Sequence, residues 1–393
     1  MGITHFDTDC SRNLIDANAG LAEVMVEFVR SSVLDIKPCI PASMHIDWEK
    51  LVQVASEHGV LPWVGNAIVQ LPVSQQPSRF TRISLGLSIE KVVCNYEHQY
   101  EVLHEIVDVC RQHDIRVMLL KGIGLSLMYP NPKFRPSGDI DLYFFDDFDR
   151  ANEIFIREKS VQTELHVEFD YKNVHIENHK TFVYPNTPAK KRISAYLMSR
   201  CDSVVYSDLG CYVFCPIDNL VYLMMHTMNH VEFDSDHPFL TLRNLVDVSV
   251  FLYKNRSQLN PNQVFKLMDS LNFASTFELI VYLSEWLLGI SFPEYHRGII
   301  KRKDLPILYE LLIKKGLIWQ VDLNQPVYKQ FCDRLNRYYR FNKMYKYMPH
   351  IPQGFFTTTL RQQFSEYIRY KFGISKSVPV MKGLRMKYCK SKI

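Results

Sequence analysis

Apolar positions recur with the period of a helix in the first part of the chain. From Asn18 to Leu34 they return every three or four residues, and "IDWEKLVQVASEHGVLPWVGNAIVQL" repeats this spacing with breaks at Gly59 and Pro62. These patterns predict one helix followed by a pair of helices. A long helix is predicted next, from about Ser88 to His113.

The pattern then changes to that of alternating strands and short helices. The apolar run "IRVMLL" predicts a short buried strand, "GIGLSLMY" a short helix that begins at Gly122, and "DIDLYF" a second strand. The segment "DDFDRANEIFIREK" predicts a helix with Asp146 and Asp147 near its start, where the helix dipole favours anions. Beyond Pro216 helical spacing dominates again.

Together these elements predict an α+β fold in which a small mixed β-sheet core lies between helical regions. We place a helical N-terminal region at residues 1–113, the core at 114–215, and a mostly helical C-terminal region with a basic tail at 216–393. The chain has 393 residues, of which 47% are hydrophobic and 22% charged, so it is long enough for two or more packed regions.

The segment "TELHVEFDYKNVHIENHKTF" alternates between polar and apolar residues and predicts a hairpin with its turn at Lys172-Asn173. That turn sets Glu168 opposite Glu177 and His166 opposite His179. Glutamates directly across a ladder are destabilising unless a cation or an imidazolium lies between them, so a binding site and a solvated face remain alternatives here. The polar face carries Glu164, His166, Glu168, His175, Glu177 and His179.

Two aspartates stand one residue apart in "DIDLYF". Because side chains alternate along a strand, Asp139 and Asp141 share one face, and Ile140 and Leu142 share the other. Two carboxylates repel by roughly 4 kcal/mol at 4 Å for an effective dielectric near 20, so solvent, a proton or a cation must lie between them. A divalent metal fits this requirement, and a solvated strand end is the alternative.

Cysteine usage and hydropathy favour a soluble cytoplasmic protein. The nine cysteines show no repeated CxxC pattern, which favours reduced thiols. The longest apolar run, "LIVYLSEWLLGISF", is broken by Glu285 and is too short to span a bilayer. We also expect no secretory leader, since no basic and then apolar segment opens the chain.

The net charge of +4 is unevenly spread, because basic and aromatic residues crowd from Arg334 to Lys346 and in the tail "KGLRMKYCKSKI". Such segments attract phosphates, nucleic acid or an anionic membrane surface, although a solvated helix face has the same composition. We therefore keep polyanion contact through this basic C-terminal region as a hypothesis.

Two further pairs stand at helical spacing. His226 and His230 are one turn apart, as in some zinc sites, but their helix is rich in Met and lacks a metalloprotease glutamate, which favours packing or a hydrogen bond. Arg243 and Asp247 share a face of the next helix and are predicted to form a simple ion pair.

The order of these segments resembles that of the uncharacterised nucleotidyltransferases of the DNA polymerase β superfamily. The resemblance runs through "DWEKLVQVASEHGVLPWV", "LLKG", "RPSGDIDLYF", "VHIENH", "HTMNH" and "LRNLVDVSVFL", roughly from Asp47 to Tyr253. It implies the minimal nucleotidyltransferase fold, with two Mg²⁺ (or Mn²⁺) ions held by Asp139, Asp141 and a third carboxylate.

By motif position the third carboxylate is Glu177, because the family places a glutamate two residues before a histidine, with Glu168 as the alternative. We expect the strand of Glu177 to pair nearer "DIDLYF". The usual Gly-Ser of the superfamily is replaced here by Lys121-Gly122. The resemblance then implies nucleoside triphosphate contacts at Lys121, Gly122, Arg135, Ser137 and Gly138.

The implied activity is metal-dependent transfer of a nucleoside monophosphate from a nucleoside triphosphate such as ATP. The acceptor, whether tRNA, a protein or a small molecule, is not determined by the sequence. A phosphotransferase that uses the same fold on a surface sugar is one alternative. An inactive binding module whose basic C-terminal region carries the function is another.

Overall fold

A computed structural model describes residues 20–300 of this chain, except 158, 186 and 234–240, and the side chains of 229–233 are also outside the description. The basic segments from Arg334 onward lie outside these residues. So does the side chain of His230, and the expectation that His226 and His230 pack or form a hydrogen bond, rather than bind zinc, stays a prediction.

The N-terminal helices form where the apolar spacing predicts them. They are α1 (Leu21–Val33), α2 (Trp48–Glu57), α3 (Leu61–Gln70) and α4 (Arg79–Gln112). The predicted start of the long helix at Ser88 was wrong, because α4 begins at Arg79 behind the side-chain cap of Ser78. Its first turns carry exposed apolar residues, including Phe80 at 83% and Leu87 at 69% exposure, so no buried stripe marks them in the sequence.

Seven described strands form one mixed sheet in the order β3-β4-β5-β2-β1-β7-β6. The pairs β2/β5 and β1/β7 are parallel, and the other pairs are antiparallel. Sequence spacing missed the edge strands β3 and β6, because two or three residues are too few to show a period, whereas β7 lies in the segment from Cys211 to Cys215 that was expected to be a strand. The strands are β1 (Met118–Leu119), β2 (Asp139–Tyr143), β3 (Ser160–Gln162), β4 (His166–Tyr171), β5 (Val174–His179), β6 (Val205–Tyr206) and β7 (Tyr212–Val213).

The β4/β5 hairpin has the predicted turn and register. Lys172 and Asn173 both have positive φ, 50° and 62°, as a tight two-residue hairpin turn requires. Glu168 consequently pairs with Glu177, and the two histidines at the other end of the hairpin also pair.

The remaining helices lie between the strands or after them along the chain. The helix predicted over "DDFDRANEIFIREK" is shorter than expected, since α6 ends at Phe155 and the chain extends to enter β3. No described helix is long and apolar enough to cross a membrane. These helices are α5 (Ile123–Ser126), α6 (Phe148–Phe155), α7 (Pro188–Ser199), α8 (Pro216–Phe233), α9 (Leu242–Lys254), α10 (Pro261–Ser270) and α11 (Ala274–Leu288).

The two faces of the sheet have different surroundings. Ile140, Leu142 and Ile176 are buried in a core built with α4 and α6. A second core joins α1, α2 and α3 to the helices that follow the sheet. The Arg30 guanidinium of α1 adds two hydrogen bonds to α11 carbonyls, at 2.9 and 3.0 Å. The helices that precede the sheet along the chain and those that follow it therefore share one core. The domain boundaries near residues 113 and 215 stay predictions.

A buried ion pair ties the loop before β2 to α9. Arg135 donates from Nε and Nη2 to the two carboxylate oxygens of Asp247, each at 2.8 Å, and the Tyr129 hydroxyl donates to Oδ1 at 2.6 Å. The predicted pair of Asp247 with Arg243 was wrong, because the carboxylate is already occupied by Arg135, 112 residues away.

Substitution Asp247→Asn should strongly destabilise the fold. It leaves the buried Arg135 guanidinium without a counter-charge, which typically costs about 3–5 kcal/mol. The partly exposed Glu294 pairs with the exposed Arg256, so Glu294→Gln is the matched control and should cost less than about 1 kcal/mol. Urea unfolding followed by tryptophan fluorescence measures both free energies, and equal losses would contradict a structural role for the Arg135–Asp247 pair.

Candidate active site

Three carboxylates converge where β2 and β5 lie side by side. In their parallel register Asp139 pairs with His175 and Asp141 pairs with Glu177. Carboxylate oxygens of Asp139, Asp141 and Glu177 all lie within 4.8 Å of one another. The expectation that β5 pairs with β2 is confirmed, and it leaves Glu168 one strand further from the aspartates.

The carboxylate of Asp141 is the most deeply placed of the three. Its side chain is fully buried, whereas those of Glu177 and Asp139 are 17% and 29% exposed. Among the described residues no donor reaches its Oδ2 atom. A buried carboxylate oxygen without a partner is unfavourable, so a cation at this position would satisfy it.

Lys121 supplies positive charge directly to the aspartates. Its Nζ lies 3.0 Å from Oδ1 of Asp141 and 3.6 Å from Oδ2 of Asp139. Burial by itself would lower the pKa of Lys121, but the charges of Asp141, Asp139 and Glu177 outweigh burial and raise the pKa. The ammonium thus faces the carboxylates, and its contact with a triphosphate stays a prediction.

The two aspartates differ in their affinity for a proton. Burial and the neighbouring Asp141 charge raise the pKa of Asp139, against the opposing charges of Lys121 and Arg243. Burial would also raise the pKa of Asp141, but Lys121 and His179 hold it well below its usual range. Asp141 is therefore the permanent anion of the pair.

Two histidines of the hairpin contact the carboxylates. His179 Nε2 lies 3.0 Å from Oδ1 of Asp141 and 3.3 Å from Oε2 of Glu177. His166 lies between the facing glutamates, with Nε2 at 2.8 Å from Oε1 of Glu168 and Nδ1 at 3.6 Å from Oε2 of Glu177. An imidazole thus separates the paired glutamates, as the hairpin register requires.

The environment of His179 favours its charged form. Burial would lower its pKa, but the hydrogen bonds to Asp141 and Glu177 and the charges of these carboxylates raise it to about 9. At neutral pH the imidazolium and the Lys121 ammonium partly offset three negative charges.

The residues present fit a divalent metal. Oxygen ligands at short mutual distances suit Mg²⁺ or Mn²⁺, and the Oδ2 atom of Asp141, which has no partner among the described residues, points to a cation. A second group with suitable ligand spacing contains His166, Glu177 and His179, so it shares Glu177 with the first. Imidazole nitrogens are better ligands for Zn²⁺ than for Mg²⁺.

The other predicted contacts lie in the loop around residue 137. Ser137 donates from its hydroxyl to the Asp139 carbonyl at 3.0 Å, and its own carbonyl accepts from Asn95 at 3.0 Å. Gly122 has φ 66°, and a Cβ there would lie 3.2 Å from the Ser137 hydroxyl. These contacts fix the start of β2 against α4 and α5.

Gly138 and Arg135, two of the residues predicted to contact phosphate, differ in how accessible they are to a ligand. Gly138 has open space where a Cβ would be, and Arg135 already uses two nitrogens for Asp247. A nucleotide contact of either residue stays a prediction.

Sequence spacing did not identify two residues near the carboxylates. Tyr222 on α8 is buried, and burial, together with Asp141, Glu177 and Asp139, raises its pKa well above the usual value, so α8 covers this face of the sheet. The charge of Arg243 on α9 lowers the pKa of Asp139. The sequence showed that Arg243 lies one helical turn before Asp247, but it did not show which residues of other elements lie near Arg243.

A family model described as uncharacterised nucleotidyltransferase matches residues 44–289 of this chain. The chain belongs to this family. The matched range contains all three carboxylates and continues beyond Tyr253, where the resemblance in the sequence ended. No curated protein and no solved structure matches the chain. Membership and the acidic cluster together fit nucleotidyl transfer in general, with the substrate and acceptor left open.

The charge on His179 should make stability depend on pH. Because its folded-state pKa lies above the ordinary 6.5, the stabilisation is fully present below pH 6.5 and is lost as pH rises through about 9. His179→Gln should remove that part of the pH dependence, on the order of a few kcal/mol.

Urea unfolding at several pH values in chelated buffer measures this effect. The more exposed His175 on the same strand offers the control, and His175→Gln should keep the wild-type pH profile. A His179→Gln profile parallel to wild type would show that the imidazolium does not stabilise the carboxylates.

Proposed function

We propose that this protein is a metal-dependent nucleotidyltransferase that moves a nucleoside monophosphate from a nucleoside triphosphate to an acceptor. The observation that carries the proposal is the convergence of Asp139, Asp141 and Glu177 from adjacent parallel strands. Membership of a nucleotidyltransferase family supports the same reaction class.

In this proposal Asp139, Asp141 and Glu177 hold Mg²⁺ or Mn²⁺. Bound divalent ions supply positive charge to the phosphate oxygens of an in-line displacement. The protein contributes fixed carboxylate positions, because both strands are held by the apolar face of the sheet. His179 and His166 orient Glu177 through their contacts with its Oε2 atom.

The reaction needs no strong general base from the protein. An acceptor oxygen, or another nucleophile, forms a bond to the α-phosphorus, and the bond from that phosphorus to the bridging oxygen breaks. Pyrophosphate leaves with the electron pair, and the acceptor proton leaves for solvent. Asp141 remains ionised throughout, since Lys121 and His179 hold its pKa low.

We propose the cytoplasm as the site of action. The described cysteines are all free thiols, which supports a reducing compartment. Contact of a polyanionic acceptor with the basic segments from Arg334 onward also stays a proposal, since these segments lie outside the described residues.

Labelled nucleoside triphosphates, screened against tRNA, protein and small-molecule acceptors, test the proposed reaction. We expect metal-dependent transfer of α-phosphate label with release of pyrophosphate. Asp139→Asn with Asp141→Asn should lower the rate by about 1,000-fold or more, since losing roughly 4 kcal/mol of transition-state stabilisation has that effect.

Asp149 is an exposed aspartate at the start of α6, so Asp149→Asn is a control that should keep wild-type activity. Transfer of γ-phosphate label without pyrophosphate would identify a phosphotransferase. Metal-independent transfer, or full activity in the double variant, would exclude the proposed site.

The choice of third carboxylate gives a separate prediction. Glu177→Gln should lower the single-turnover rate by about 100-fold or more with little loss of folding stability, because a ligand to the reacting assembly is removed. Glu168→Gln should have a mild effect, since Glu168 contacts His166 and lies on the strand beyond β5. The reverse ranking of the two rates would assign the third carboxylate to Glu168.

A further inference from the structure

Arg243 has an unusual position on the first turn of α9. Its backbone N–H donates to the His58 carbonyl at 3.2 Å. Its side-chain stem packs on Gly59, where an added Cβ would lie 3.3 Å from Cδ of Arg243. Within the described part of the chain, the partly buried guanidinium makes neither a hydrogen bond nor an ion pair.

The natural partner of Arg243 is already occupied. Asp247 lies one helical turn further along α9, but both of its oxygens accept hydrogen bonds from Arg135. Among the described residues, Asp247 therefore neutralises Arg135, and the Arg243 guanidinium has no ion-pair partner of its own. Burial, and then repulsion from Arg135, lower the pKa of Arg243 in spite of Asp247 and Asp139.

An uncompensated charge of this kind destabilises a folded protein. A guanidinium also presents a planar fork of donors that matches the oxygens of a phosphate. The partly buried guanidinium of Arg243 is consequently suited to bind an anionic ligand.

The position of Arg243 relative to the carboxylates indicates which class of anion it could bind. The charges of Lys121 and Arg243 lower the pKa of Asp139, and the charge of Asp139 raises the pKa of Arg135. Lys121 contacts the aspartates, and Arg135 is held by Asp247. Of these three, Arg243 has its donors free within the described part of the chain, and its charge acts on Asp139, one of the residues that would hold the metal.

We propose that Arg243 binds a phosphate group of the nucleoside triphosphate, so that the triphosphate is held between α9 and the carboxylates of β2 and β5. The inference rests on the proposed function for the identity of the ligand. The anion is a polyphosphate, because a polyphosphate has enough oxygen atoms to bind a metal ion and a guanidinium at the same time.

Binding of inorganic tripolyphosphate with saturating Mg²⁺, measured by calorimetry on the full chain, tests the inference. We expect wild type to bind and Arg243→Met to bind at least tenfold more weakly. Arg243→Lys should recover part of the affinity, because it keeps the charge and loses the fork. Arg256→Met, at an exposed arginine paired with Glu294, is the control and should bind as wild type does.

Thermal unfolding without ligand separates binding from a structural role. Removing an unpaired charge should leave the melting temperature of Arg243→Met equal to or above that of wild type. Arg135→Met, which breaks a buried pair, should lower it markedly. A comparable fall in Arg243→Met, unchanged tripolyphosphate affinity in that variant, or no binding by wild type would each overturn the inference.

These outcomes are distinct from failure of the proposed reaction. If tripolyphosphate binding depends on Arg243 but no acceptor receives a nucleotide, the anion site stands and the nucleotidyltransferase proposal fails. If nucleotides are transferred and Arg243→Met binds tripolyphosphate normally, the reaction stands and the role of Arg243 is wrong.

Discussion

Repulsion among one buried and two partly buried carboxylates is the constraint on which the rest of this structure depends. Asp139, Asp141 and Glu177 bring their oxygens within 4.8 Å of one another, and Asp141 has no exposure to water that could screen its charge. Two cations offset this charge, and they come from different elements. Lys121 follows β1, and His179 ends β5. Two positive charges do not balance three negative ones, so the carboxylate cluster still attracts a divalent metal.

The sheet can hold these charges together because its other face is apolar. Ile140 and Leu142 alternate with the aspartates on β2 and are buried with Ile176 against α4 and α6. A slip of one residue would place the carboxylates in this core and the apolar side chains on the site, so the register is strongly specified. The positions of the acids are thereby set by the most buried part of the fold, and an active site needs such fixed positions.

The helices on the carboxylate face bring a complementary distribution of charge. Asp247 on α9 holds Arg135 of the loop before β2, and within the described residues this leaves Arg243 without an ion-pair partner. Negative charge is concentrated on the strands, and a positive charge that acts on Asp139 lies on α9. A triphosphate bound with a metal needs both, since the metal requires carboxylates and the outer phosphates require a cation.

The sequence by itself determined what depends on neighbours within one element or one tight turn. Alternation placed Asp139 and Asp141 on one face, and the two-residue turn at Lys172-Asn173 set Glu168 opposite Glu177. It did not reveal the start of α4, because the exposed Phe80 and its neighbours bury no stripe.

Only the tertiary structure decided which elements meet. Spacing puts both hairpin glutamates on one face, so the choice between them needed the parallel pairing of β5 with β2. Spacing also favoured Arg243 as the partner of Asp247, whereas packing brought Arg135 there from 112 residues away. The physical reason is that side-chain direction is local, but the pairing of distant groups follows from the burial of whole elements in a shared core.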